Sequence, residues 1–240
     1  MLAGMTTNVV FGLLRLSIIT AAVKAANGEI ANYDIAATNT YVWIGQGLLG
    51  FILLWGNNEL AERVRSGDVV VDLYRPWHLQ GALLAEDIGR GGFALLVRLA
   101  PPMVFGMLLF PFQFPDNPLR WPLFLLSATI ALVISFGVRF LVEASAFWLL
   151  DNRGVYGFWN VSSGLLCGLT VPIAFFPEWA RNALWASPFP ALLQAPIDVF
   201  LGHGSAAKLL LYQAFWAVVV LALGHFMLQR AVRKVVVQGG

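Results

Sequence analysis

Six stretches of this sequence are apolar over enough residues to cross a bilayer: 7–26, 39–56, 93–113, 121–150, 155–176 and 207–229. A helix needs about 20 apolar residues to span a hydrocarbon core of about 30 Å. In lipid every backbone N–H and C=O must be paired inside the protein, so only helices and closed barrels span it. The runs here are continuously apolar rather than alternating, which points to helices. The sequence therefore predicts an all-α integral membrane fold, one domain over residues 1–240 with six transmembrane helices. The fourth run is the longest and is expected to tilt or to project from the bilayer.

Charge supports this reading by its scarcity and its placement. Only 12% of residues are Asp, Glu, Lys or Arg, about half the share of a soluble domain. A net charge of +2 is too small to point to nucleic acid. The single cysteine, Cys167, can form no intrachain disulfide and reads as a small packed residue. The first run has no basic region ahead of it and reads as a retained span rather than a cleavable leader.

Six spans place both termini on one side. With that side cytoplasmic, Arg63, Arg65, Arg75, Arg90, Arg98, Arg153, Arg230, Arg233 and Lys234 fall inside or at the inner boundary. Lys24, Arg120, Arg181 and Lys208 fall outside, while Arg15 and Arg139 lie within spans. The excess of inner cations fixes this orientation in a cell membrane. Tryptophans follow it, with Trp55, Trp148 and Trp159 at inner ends and Trp121, Trp179 and Trp185 at outer ends. Their half-apolar indoles favour the headgroup boundary.

Residues 177–205 are apolar but broken by Pro188, Pro190 and Pro196. Proline removes a helix donor and clashes with the preceding turn, so short helices at or dipping into the outer face are expected. Pro101, Pro102 and Pro172 should kink the third and fifth spans. Gly164 and Gly168 form a G-x-x-x-G pattern in the fifth span, and Gly47 and Gly50 add small residues to the second. Close helix approach follows, either within one subunit or between two.

Arg139 and Glu143 are spaced i,i+4 and share a face of the fourth helix. A lone charge at mid-membrane costs about 2.5–3.5 kcal/mol. The two read either as an ion pair near the inner boundary or as charges on a substrate path. Arg15 either snorkels or pairs with another helix. Glu86 and Arg90 share a helix face and read as a surface ion pair, with Asp87 beside them. His78, His203 and His225 fall in three separate regions, and His225 reads as a hydrogen-bonded packing residue. Gly202, His203, Gly204 and Ser205 lack the lysine-hydroxyl ending of a phosphate loop. Nothing in the sequence offers a site for ATP or a metal.

The charged stretch 57–72 stands apart from these runs. A short helix over 57–66 is predicted, capped by Gly67. Leu60 and Val64 make a narrow apolar stripe, too thin to build a core. Glu59, Glu62, Arg63 and Arg65 crowd the other positions. Ser66, Gly67 and Asp68 end the helix, and Arg75 with Pro76 forces a second break. The stretch reads as a docking peg held away from the bilayer, or as a solvated loop.

Glu62-Arg63-Val64-Arg65-Ser66-Gly67-Asp68 followed by Asp72-Leu73-Tyr74-Arg75-Pro76 resembles the cytoplasmic coupling loop of ABC-2-type exporter permeases. The resemblance extends over most of the chain. Thr7-Asn8-Val9-Val10-Phe11-Gly12 is similar to the opening of the first span in one branch of that family. Residues 177–205 resemble its outer helices between spans five and six, and the ending Val235-Val236-Val237-Gln238-Gly239-Gly240 resembles the same branch. One departure stands out: family members usually carry an amphipathic interfacial helix before the first span, and few residues precede Thr7 here.

The resemblance implies a membrane permease subunit of an ABC exporter that does no ATP chemistry itself. It implies a second permease, identical or homologous, and two copies of a soluble ABC ATPase that hold ATP and Mg. Glu59, Leu60, Glu62, Arg63, Val64, Arg65, Ser66, Gly67, Asp68, Arg75 and Pro76 would then receive the ATPase. Arg63, Arg65 and Glu62 would supply charge contacts, and Leu60 and Val64 an apolar plug. The aromatic-rich spans suit an amphipathic or hydrophobic cargo. Two other readings fit the residues less well. An ion-coupled secondary transporter would use Arg139 and Glu143, but no half-to-half symmetry is visible. A lipid-modifying membrane enzyme would use Glu86, Asp87 and Arg90.

Overall fold

A computed structural model describes residues 2–238 apart from 57, 76 and 150, with side chains over 6–233. Among these residues the chain is helical and has no β-strand. Helix α1, Leu2–Ala25, runs into a turn in which Asn27 and Gly28 take positive φ. The chain returns as α2, Ile35–Phe51. Asp34 starts α2 by accepting the Ala37 N–H at 2.7 Å, a side-chain cap on one of the four free N-terminal donors.

Helix α2 is the centre of the bundle. Trp43, Ile44, Leu48 and their neighbours are buried on every face, as expected of a helix apolar all round. Gly47 and Gly50 let the third rod approach it: a Cβ at Gly47 would lie 2.6 Å from the Leu99 carbonyl oxygen. That contact lies within the chain.

Two short helices follow, α3 at Glu59–Ser66 and α4 at Val69–Tyr74. The next rod is continuous over Leu79–Leu109. It comprises α5, Leu79–Ala94, a π turn at Leu95–Leu99, and α6, Ala100–Leu109. The rod starts earlier than the predicted residue 93. Its first part carries Gln80, Glu86, Asp87 and Arg90 and so does not score as apolar. The prolines act here through register. Pro101 and Pro102 bring no N–H, and the Ala100 N–H reaches five residues back to Leu95.

Helix α7, Arg120–Ala144, ends in a 3-10 turn at Ser145–Phe147. The predicted end of this span, Leu150, lies outside the described residues. Helix α8, Arg153–Leu166, stops well short of the predicted residue 176. Gly168 takes φ +86, a left-handed helix ending, and Pro172 follows. Gly164 and Gly168 therefore do not share a helix face. Pro172 lies beyond the end of α8, ahead of a 3-10 turn at Ile173–Phe175, and kinks no span.

The proline-broken stretch 177–205 contains α9, Glu178–Trp185, and α10, Gln194–Leu201. These are the expected short helices, but α10 is wholly buried against α2, α7 and the last helix, α11, Ala206–Gln238. Its Gln194 is wired at every atom. Oε1 accepts from the Ile173 N–H at 2.9 Å and lies 2.7 Å from the Tyr41 hydroxyl. Nε2 donates to Asp198 at 2.8 Å and to Tyr33 at 2.9 Å.

Among the described residues four helices are long and apolar enough to cross a membrane: Thr6–Ala25, Leu79–Leu109, Arg120–Phe147 and Ala206–Arg233. The second and fifth runs form the shorter helices α2 and α8, of 17 and 14 residues. Trp121, Trp148 and Trp179 are exposed. Trp159 is not: it is buried and donates to the Leu54 carbonyl at 3.1 Å. The predicted ending at Gly239 and Gly240 lies outside the described residues, as do the side chains of Lys234 and residues 235–238.

Candidate functional site

The charged stretch folds as two helices meeting at a tight corner. Helix α3 covers most of the predicted 57–66, although Asn57 lies outside the described residues. It ends at Gly67, in the left-handed region at φ +86, as its sequence predicts. Ser66 Oγ donates to Asp68 Oδ2 at 2.6 Å and fixes the corner. Helix α4 then packs back, and an ion pair between Arg63 and Asp72 ties the two together. Asp72 is buried, so this pair is screened less than a surface bridge. Arg75 reaches the same carboxylate at 3.9 Å. Arg65 lies 3.7 Å from Asp151 and 4.0 Å from Glu62.

The stripe on α3 points inward. Leu60 is only 5% exposed and packs with Val69, Leu79, Phe140, Phe147 and Leu228, and Val64 packs against the same cluster. The expected outward plug is therefore corrected. Two residues are too few to make a core alone, but α5, α7 and α11 supply the rest of it. The knob is seated on the bundle rather than held away from it. Glu59, Glu62, Arg65, Ser66, Gly67, Asp68 and Arg75 keep the outer surface. They are joined by Val71, Tyr74 and Trp77, with Tyr74 86% exposed. Arg75 lies over the Trp77 ring at 5.2 Å. Pro76 lies outside the described residues. The sequence signal for Val71 and Tyr74 is their i,i+3 spacing on α4, opposite the buried Val69 and Asp72.

Beneath the knob lies a cavity of about 340 Å³ lined by Glu59, Arg63, Glu86, Asp87, Arg139 and Glu143 among others. Arg139 and Glu143 do not pair with each other here. Arg139 donates to Asp87 Oδ2 at 2.6 Å. The other oxygen of Asp87 accepts from Arg90 Nε at 2.8 Å. The expected Glu86–Arg90 pair is thus replaced by Asp87–Arg90 at i,i+3. Arg90 also donates to the Phe51 carbonyl at 3.1 Å, where the last carbonyls of α2 lack helical partners. Glu143 accepts the Leu60 N–H at 2.9 Å. The i,i+4 spacing was sound, but a tertiary partner stands closer to each charge than its neighbour on the helix.

These contacts run from α3 to Glu143 on α7 and, one helical turn away on α7, from Arg139 to Asp87 and Arg90 on α5 and on to the end of α2. A displacement of the knob has a polar route into three helices of the bundle. Arg15 is not on this line; it sits on α1 beside Gln46, in a separate groove. His78 and His225, distant in sequence, lie 2.8 Å apart, and His225 also meets Gln229 at 2.7 Å. Among the described residues no cluster of His, Cys, Asp and Glu could hold a metal ion.

A family model described as "ABC-2 family transporter protein" matches residues 7–239. No curated protein and no solved structure matches the chain.

Proposed function

Because this chain belongs to the ABC-2 family of transporter proteins, we propose that it is the permease subunit of an ATP-driven exporter in the cell membrane, with both termini cytoplasmic. That family places it as a multi-pass membrane permease of an ABC transporter. In the proposed complex, six helical runs form one membrane domain, α2 and α8 being the short members. A second permease, identical or homologous, completes the path for an amphipathic or hydrophobic cargo. Two copies of an ABC ATPase hold ATP and Mg.

The α3–α4 knob receives the ATPase. Its outer face offers Glu62, Ser66, Asp68, Val71 and Tyr74, a small apolar patch inside a charged ring. Arg63 has a different role from the one its sequence position suggests, because it holds α4 through Asp72. Leu60 and Val64 anchor the knob, and Glu143 fixes its first turn. Power transfer requires that the docked ATPase make different contacts in its two nucleotide states.

The observation that carries this reading is the Glu143–Leu60 contact, which joins the knob to the bundle. Neither rival reading gains a comparable one. Asp87 takes up the charge of Arg139, and Glu86 forms no pair with Arg90. The test is purification of the tagged chain from its native membrane. Recovery of a phosphate-loop ATPase, and its loss in Val71→Glu/Tyr74→Glu, is the expected result. A Ser66→Cys variant that reacts with a membrane-impermeant thiol reagent from the outer surface would overturn it.

A further inference from the structure

A second cavity, of about 510 Å³, opens between α1, α2 and the α5–π-turn rod. Three arginines line it: Arg15, Arg90 and Arg98. No acidic residue lines it. Asn8 and Gln46 add polar groups, and Phe11, Trp55 and Phe93 supply aromatic surface. Phe11 and Phe93 are 54% and 66% exposed, so the aromatic side is open.

The three guanidinium groups are not equally occupied. Arg90 is engaged by Asp87 and Phe51. The Gln46 amide, turned with its oxygen toward Arg15, accepts from Arg15 Nη1 at 2.9 Å. The Arg98 guanidinium makes no hydrogen bond or ion pair among the described residues. Its stem packs on Gly50, where a Cβ would lie 3.1 Å from Arg98 Cβ. It projects from the π turn, a local unwinding that recurs at functional sites. Of the three, Arg98 has five N–H donors with no partner among the described residues, and two further cations line the same groove. Arg98 is exposed and Arg15 and Arg90 are half-buried, so the free donors stand open to an anion that enters the groove.

We propose that this groove binds the anionic head of an amphiphile, a phosphate or carboxylate, with its apolar tail leaving past Phe11 and Phe93. This rests on the permease reading and names the chemical class of its amphipathic ligand. Guanidinium forks match phosphate and carboxylate oxygens two at a time. The volume lies in the range of small-molecule sites, larger than one phosphate and smaller than a whole lipid. An anion bound between Arg98 and Arg15 also touches the coupling line, because Arg90 lines both cavities.

The test uses the purified full chain with its co-purifying ATPase, probed by native mass spectrometry with phosphatidylglycerol and with phosphatidylcholine. Wild type should retain the anionic lipid in preference, and Arg98→Gln should weaken that preference about tenfold, the effect of losing one charge-assisted contact. Arg15→Gln/Arg98→Gln should abolish it. Unchanged gel-filtration profiles show that the variants fold. Proteoliposomes then separate the sources. ATP-driven movement of a fluorescent phosphatidylglycerol to the outer leaflet marks the amphiphile as cargo, and retention without movement marks a resident lipid. Both outcomes uphold the site. Equal retention of the two lipids by wild type, or an unchanged preference in the double variant, overturns it. If the ATPase co-purifies while the lipid preference is missing, this inference alone fails. If the preference is present without any ATPase, the permease reading fails instead.

Discussion

Glu143 on α7 accepts a hydrogen bond from the Leu60 amide of α3 at 2.9 Å, across 83 residues of sequence. A helix normally caps its first turn with the side chain of the residue before it. Asn58 holds that position and makes no such bond. The cap is lent by another helix and ties the first turn of the knob to α7. Glu143→Ala should cost about 1 kcal/mol of that ordering, the usual value of a lost cap. Transport per ATP hydrolysed should fall in proteoliposomes, whereas Glu143→Gln keeps an acceptor oxygen and should retain more of it. An Ala variant with the wild-type transport-to-hydrolysis ratio would remove Glu143 from the coupling line.

Asp87 holds two arginines, Arg139 at 2.6 Å and Arg90 at 2.8 Å. Its side chain is 8% exposed and that of Arg139 is 11% exposed. Removing one partner of such a buried pair leaves an uncompensated charge and typically costs about 3–5 kcal/mol. Asp87→Ala should therefore lower the thermal midpoint of the detergent-solubilised protein sharply. Asp87→Leu/Arg139→Met should recover much of the loss, because apolar replacement of both partners avoids the stranded charge. A midpoint unmoved by Asp87→Ala would show that water reaches this pair freely.

The elements written in local pattern were legible in the sequence. The α3 ending at Gly67 could be read because only a residue tolerant of positive φ serves there. The short outer helices could be read because Pro188, Pro190 and Pro196 forbid a long one. What failed depended on tertiary neighbours. Leu60 looked like a plug because its partners Phe140 and Leu228 lie far along the chain. Arg139 looked paired with Glu143 because Asp87 belongs to another helix. The early start of α5 was hidden by its polar face, since an apolar count misses an amphipathic entry. Helix α8 was overextended for the opposite reason: residues past Leu166 remain apolar although the helix ends in the left-handed turn at Gly168.

Gly47 is the position where α2 and the π turn come closest. A methyl group there would lie 2.6 Å from the Leu99 carbonyl oxygen and 2.9 Å from Leu99 Cδ1. Backbone cannot step aside as a side chain can, so Gly47→Ala should overpack the bundle by about 1–3 kcal/mol. Gly157 on α8 is the matched control, with no atom within 4 Å of its built Cβ. Gly157→Ala should be neutral or stabilise by up to about 1 kcal/mol through helix propensity. Yield and thermal midpoint read both, and equal behaviour of the two variants would mean that α2 and the third rod separate more readily than the structure indicates.

Gln194 binds α10 to three other parts of the bundle: Tyr41 on α2, the Ile173 amide after α8, and Tyr33 before α2. It also holds Asp198, one turn along on its own helix. Gln194→Leu keeps the volume roughly constant while removing every one of these bonds. Each buried group left without a partner costs about 1–3 kcal/mol. The Leu variant should thus lose more stability than Gln229→Leu, whose side chain meets the exposed His225. Gln194→Glu should also be damaging, because it sets a second carboxylate beside Asp198 where the amide had donated. The check is a pair of thermal midpoints for the Leu variants; a Gln229 variant as unstable as the Gln194 variant would show that α10 is held by apolar packing and not by its polar knot.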